Sequence, residues 1–356
     1  MPFEEFQRIA LYDPEDGFFG SGKLRSTKEG DFLTSPEVSP LFGETLAKFV
    51  DQFLSSPSGG SGRGEERAGV DGGGAEVGGR VPTLVEVGSG SGSLLRPLLV
   101  ALEHSVDAWV VEASPAARAA LAEMLPADRV VSSLDEVAAP FSGVVLANEL
   151  LDNLPVAVAV RTGIGWEERW VGIEDGHLVL VPHPARPEVA AWANRFGLPC
   201  PEGGRVEVQL AAADWMRRAL DVLARGAVVV IDYGEKAEHL EHRRLEGTLR
   251  TYRAHHLGPH PPAVPGETDI TNDVNFSSLC AVAEAAGASV ELHRQDEFLE
   301  SLGLAERIRE LREQELALAR DGDPMERLKA RSDRTNAETL LHPRGLGDFR
   351  VLIARK

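Results

Sequence analysis

The sequence predicts an α/β fold built on a mostly parallel sheet. From Val81 onward, short apolar runs alternate with amphipathic ones, the rhythm of strand–helix units whose strands lie parallel. One apolar run, 83–87, ends in a glycine turn, Gly88-Ser89-Gly90-Ser91-Gly92, and leucines at helical spacing follow at Leu94, Leu95, Leu98, Leu99 and Leu102. The 356 residues, 43% of them hydrophobic, are enough for a buried core with a second lobe or large insertions.

The elements follow in chain order. Residues 1–54 carry Phe3, Phe6, Tyr12, Phe18, Phe19, Phe32 and Phe42 and are expected to form a helical N-terminal segment that contributes to the site. Residues 55–80 are mostly Gly, Ser, Arg and Glu. They are expected to be a flexible insertion, with too little apolar surface to order itself. The core spans 81–356. Its first strands are expected at 83–87, 107–112, 129–132 and 143–148, with helices at 93–103 and 115–124. Ser114-Pro115 gives the second helix a cap and a proline at its first position.

Insertions are expected at about 156–225 and 235–275. Runs at 156–160, 168–173 and 178–181, separated by Thr162-Gly163 and Asp175-Gly176, read as an antiparallel meander inserted into the parallel core. Helices fit 187–196 and 209–224, and 227–233 reads as a buried strand. A His- and Pro-rich loop covers 235–268. Then come a helix at 276–286, a strand at 288–293, one or two charged helices over 296–320, and a last strand at 349–354, expected as an antiparallel edge.

The glycine turn carries the first chemistry. A dinucleotide fingerprint is G-x-G-x-x-G, with a phosphate at the helix N-terminus. Here the third glycine comes one residue early, and Glu86 precedes the first. That acid repels a phosphate and attracts an ammonium group. E-x-G-x-G-x-G resembles the turn with which class I methyltransferases hold S-adenosylmethionine, a cation without phosphate. Glu86, Gly88, Gly90 and Gly92 are therefore expected at the cofactor. Glu112 ends the second strand 26 residues later, about where an acid accepts ribose hydroxyls.

The segment after strand 143–148 carries the second chemistry. Asn148 and Glu149 are expected over the bound cofactor. Methyl transfer to a guanidinium needs acceptors that orient the planar donor fork, and carboxylates do this by charge-assisted hydrogen bonds. Glu149 and Asp152 form such a candidate pair. The alternative is that Asp152 caps the turn before Leu154 and only Glu149 faces the site. Thr34-Ser35-Pro36-Glu37 reads as a helix start with its cap.

Other functions find little support. A net charge of −19 argues against nonspecific binding to nucleic acid or an anionic membrane. The first ten residues lack the apolar core of a signal peptide, and no apolar stretch is long enough to span a bilayer. Cys200 and Cys280 are isolated and imply a reducing compartment, here taken as the cytoplasm. His255-His256 and His260 do not make a metal site, because adjacent histidines do not readily face one ion.

Several motifs occur together in order. They are Leu11-Tyr12-Asp13-Pro14, Gly17-Phe18-Phe19, the ten residues Gly30 to Ser39, Glu86 to Gly92, Ala147 to Val156, Ile231 to Gly234, Pro265 to Thr271 and Gln295 to Leu299. The set resembles the MidA-like family of S-adenosylmethionine-dependent methyltransferases over nearly the whole chain. Mitochondrial members of that family act as complex I assembly factors and symmetrically dimethylate an arginine of a core subunit. The resemblance implies a Rossmann-like class I methyltransferase sheet, S-adenosylmethionine as cofactor and a protein substrate. It implies that Thr34 and Ser35 join the cofactor and substrate pocket and that Asn148 and Glu149 sit beside the sulfonium. The chain departs from the family pattern at Ser89, Leu151, Asn153 and Leu249-Arg250-Thr251. A non-catalytic assembly module and a small-molecule methyltransferase are the alternative functions.

Overall fold

The structure is a computed structural model that describes residues 1–21, 34–56, 81–253 and 256–356. Gly30 to Leu33, positions 57–80 of the Gly-rich insertion and His255 lie outside the described residues.

Seven strands form the central sheet: β1 (Thr83–Val87), β2 (Asp107–Val111), β3 (Val130–Val131), β4 (Phe141–Asn148), β5 (Leu223–Asp232), β6 (Ser289–Arg294) and β7 (Arg350–Arg355). Their order is β3-β2-β1-β4-β5-β7-β6. β1 runs parallel to β2 and β4, and β4 parallel to β5, whereas β7 is antiparallel to both its neighbours. The last strand is thus antiparallel as expected, but it fills the gap between β5 and β6 and is not an edge. The residues explain the difference. Val351, Leu352, Ile353 and Ala354 are all buried, a continuous apolar run suited to a strand covered on both faces. β6 reads Ser-Val-Glu-Leu-His-Arg and is half-exposed, which suits an edge.

Alternate residues of the sheet face opposite layers. Leu84, Val110, Val144, Leu146, Val229, Ile231, Val351 and Ile353 pack with residues of helices Leu41–Ser55, Leu95–Ala101 and Gln295–Ser301. Val85, Val87, Val111, Val145, Ala147, Val228, Val230 and Leu352 pack with residues of helices Leu210–Asp221 and Phe276–Ala285.

The meander does not enter this sheet. Strands Ala157–Thr162, Gly165–Glu174, His177–Pro184 and Arg205–Val208 make a separate four-stranded sheet. Phe3, Phe6 and Leu11 of the N-terminal helix Phe3–Tyr12 cluster with its Val158 and Val171. Val189 and Trp192 of helix Pro187–Phe196 cluster with Ala157, Ala159 and Val206, so each face has its own covering helix. The His- and Pro-rich segment carries short strands of its own, Arg250–Arg253, His256–Leu257 and Asp269–Thr271. Among the described residues no helix is long and apolar enough to cross a membrane.

Candidate active site

A cavity of about 840 Å³ opens at the carboxyl ends of β1, β2, β4 and β5, where open α/β sheets bind ligands. The glycine turn forms one wall. Gly88, Gly90 and Gly92 have φ of +77°, +52° and +76°, a left-handed conformation that side chains other than glycine adopt at a cost. Gly88 and Gly90 line the cavity, as does Glu112 from the end of β2. The Glu112 carboxylate holds the turn in place. One oxygen accepts from the Gly90 N–H at 2.9 Å and the other from the Ser114 N–H at 2.8 Å. Gly92 is placed differently. Its missing Cβ makes room for Leu121 and Met124, and it does not line the cavity.

Glu86 lies beneath the turn, 3% exposed and behind the cavity wall. Burial pushes its carboxyl up to about 7, the nearby Glu112 adding to the shift. Its Oε2 accepts from no donor.

The turn after β4 supplies the acids. Glu149 and Asp152 both line the cavity. Glu149 has φ +49°, left-handed for a non-glycine residue. Its N–H donates to the Ile231 carbonyl at 2.8 Å. Its Oε1 accepts from the Ser35 N–H at 3.2 Å and from Asn148 Nδ2 at 3.3 Å. Burial first, and Asp152 second, push the Glu149 carboxyl up to about 8. Burial also raises Asp152, although Tyr233, Thr271 and Arg250 act against it. Asp232, wholly buried at the end of β5, accepts the Leu151 N–H at 2.9 Å and the Asp152 N–H at 3.3 Å, so it ties the acid turn to β5.

The N-terminal segment reaches the same cavity through Tyr12, Phe19 and Thr34. Thr34 caps the short helix Ser35–Val38 in a capping box with Glu37. Ser35 and Asn148 do not line the cavity but hold Glu149. Gln295 Nε2 donates to Ser35 Oγ at 3.2 Å, which anchors that helix to the start of helix Gln295–Ser301.

Some lining residues were not singled out from sequence. Ser132, Ser133 and Leu134 follow β3, and Trp215 and Arg218 project from helix Leu210–Asp221. The strand at 129–132 and the helix at 209–224 are legible in the sequence, but nothing in either marks these side chains for a site. Tyr233, Asp269 and Thr271 belong to noticed motifs, but only the fold brings them to Asp152. Among the described residues, no group of three or more His, Cys, Asp or Glu side chains could hold a metal ion.

This strand order, with a glycine turn after β1 and an acid after β2, defines an S-adenosylmethionine-dependent methyltransferase. Residues 76–293 match the family model described as "Putative S-adenosyl-L-methionine-dependent methyltransferase". A crystal structure of a Burkholderia thailandensis superfamily member bound to S-adenosyl-homocysteine is similar over all of this chain and 88% of its own, with 30% identity and a TM-score of 0.82. The mitochondrial protein arginine methyltransferase NDUFAF7 of Xenopus tropicalis is 26% identical over 87% of this chain and 73% of its own length. The Homo sapiens protein of the same name is 27% identical over 86% and 71%. The chain belongs to this family, the MidA-like S-adenosylmethionine-dependent methyltransferases. The cytoplasmic expectation does not stand, because these curated relatives are mitochondrial. Isolated cysteines imply only a reducing compartment and do not separate the two locations.

Proposed function

We propose that this protein transfers a methyl group to an arginine side chain of a protein substrate. One observation carries the reading: two carboxylates, half-buried Glu149 and buried Asp152, face the same cavity as the glycine turn. The relatives named protein arginine methyltransferase support it. The cavity also suits the cofactor. Gly88 and Gly90 leave room for close approach, and Glu112 stands where ribose hydroxyls would be accepted. Glu86 stands behind the wall with Oε2 unpaired, so the charge of a bound cation would favour its ionised form without touching it. On this reading Thr34 and Glu112 meet the cofactor, and Ser35 and Asn148 orient Glu149. Residues 1–54 act as part of the catalytic unit.

Bound S-adenosylmethionine supplies an electrophilic methyl on a sulfonium cation. The residues of the chain do the rest. A substrate arginine stays protonated near neutral pH, so the site must hold a cation and not await a neutral nucleophile. Glu149 and Asp152 accept its N–H groups and orient one terminal nitrogen. When that nitrogen gains the methyl it gives up one N–H proton, and a carboxylate receives it. Sulfonium and guanidinium both favour the ionised carboxylates, against the burial that raises them.

Glu149→Gln keeps the shape and removes the charge. Affinity for S-adenosylhomocysteine, measured by calorimetry, should stay within a few-fold. Transfer of radiolabelled methyl to lysate proteins should fall by roughly two orders of magnitude, the scale of losing a preorganised electrostatic contact. A variant that methylates at the parental rate removes Glu149 from the mechanism. Label mapped to a residue other than arginine overturns the substrate class.

A further inference from the structure

Two hydroxyls from distant parts of the chain converge on Asp152. Tyr233 follows β5, and Thr271 ends the short strand Asp269–Thr271. Thr271 Oγ1 donates to Asp152 Oδ2 at 2.7 Å. The Tyr233 hydroxyl donates to the same oxygen and also touches Thr271 Oγ1. The Asp152 backbone is pinned too. Its carbonyl accepts from the Asn272 N–H at 3.0 Å and from Asn272 Nδ2 at 2.7 Å, and its N–H meets Asp232. With backbone and one oxygen fixed, Oδ1 remains. It is buried and accepts from no donor. A brace that served folding alone would leave neither oxygen unsatisfied, because a buried acceptor without a donor destabilises the fold.

We propose that Tyr233 and Thr271 are positioning residues for methyl transfer: by holding Asp152 Oδ2 they present Oδ1 as the acceptor for a guanidinium N–H of the substrate. The inference rests on the arginine reading given above. The Tyr233 ring meets Phe349 edge-on at 5.5 Å, a contact that phenylalanine would keep. The charged and titratable groups around Asp152 are Glu149 on its own turn, Asp232 at the end of β5 and Tyr233 just after it, Tyr12 from the N-terminal helix, and Arg250 and Asp269 from the inserted strands. The two hydroxyls favour the ionised carboxylate, so their loss makes it harder to ionise.

The test compares the parental chain with Tyr233→Phe, Thr271→Val, the double variant and Thr271→Ser. Each is assayed for S-adenosylhomocysteine affinity, thermal midpoint, and methyl transfer to an arginine-centred peptide library with randomised flanks across a pH series. Cofactor affinity should hold within about threefold, while peptide KM rises about tenfold per lost hydroxyl, the scale of a hydrogen bond to a charged group. The acid limb of kcat/KM should move up by about one pH unit in the double variant, and Thr271→Ser should keep the parental profile. A folded double variant with parental KM and pH profile overturns the positioning role and leaves the arginine reading intact. Should the double variant not fold, the same kinetics in folded Tyr233→Phe decide in the same way. No transfer by the parental protein to any peptide, despite cofactor binding, overturns the arginine reading, and this inference falls with it.

Discussion

Glu149 is held in a backbone conformation that costs about 1–3 kcal/mol for a residue with a side chain, at φ +49°. The site retains that strain at a residue whose carboxylate lies among other acids. Its carboxyl sits at about 8, and that of Glu86 at about 7. The unfolded chain releases both protons near the ordinary value of about 4.3. Folded-state affinity for those protons therefore adds stability that is complete below that value and is lost as pH rises through 7 and 8. Without cofactor, the thermal midpoint should fall between about pH 5 and pH 8.5, and fall less in Glu149→Gln, which has no proton to lose there. Thermal unfolding at several pH values checks this. Equal slopes in parent and variant would mean that the Glu149 carboxyl is not desolvated as described.

Helix Leu41–Ser55 meets the helix after the glycine turn through Gly43. A Cβ there would lie 2.7 Å from the Leu94 carbonyl oxygen and 3.3 Å from Pro97 Cβ. Two effects compete in Gly43→Ala. Helix propensity favours alanine by about 1 kcal/mol. The collision is with backbone and costs about 1–3 kcal/mol, so it should win. Because Leu94 lies two residues past the turn, S-adenosylhomocysteine affinity should weaken together with the thermal midpoint. A variant as stable and as tight-binding as the parent would show that the two helices separate freely. Elements with a clear apolar pattern were legible from sequence in this way, β1 and helix Pro187–Phe196 among them. Helix Pro324–Leu340 was not, because it buries only Ala330, Ala337 and Leu340 and shows no apolar stripe. Strand Arg205–Val208 is four residues long, too short to show a period. The acid turn was readable because Glu149 and Asp152 directly follow an apolar strand. Its partners were not, since Tyr233 and Thr271 lie 81 and 119 residues further along the chain.

At the scale of the whole molecule, the N-terminal helix packs on the meander and on Ile270 of strand Asp269–Thr271, and it ends at the cavity with Tyr12. Phe3 is fully buried in that joint. Phe3→Ala should destabilise the protein by about 3–5 kcal/mol, and, by loosening Tyr12, raise the KM for substrate more than it weakens cofactor binding. Thermal unfolding and peptide kinetics read the two effects, and an unchanged midpoint would exclude this joint as a source of stability. The central sheet has a different dependence on the chain. β5 and β6 both precede β7 in sequence, yet β7 lies between them. On the ribosome, then, β5 leaves the exit tunnel with one row of backbone N–H and C=O groups unmatched, and they stay so until the strand Arg350–Arg355 emerges. The nascent chain must keep that slot open and shielded from other strands throughout the synthesis of helices Leu304–Asp321 and Pro324–Leu340, which come before β7.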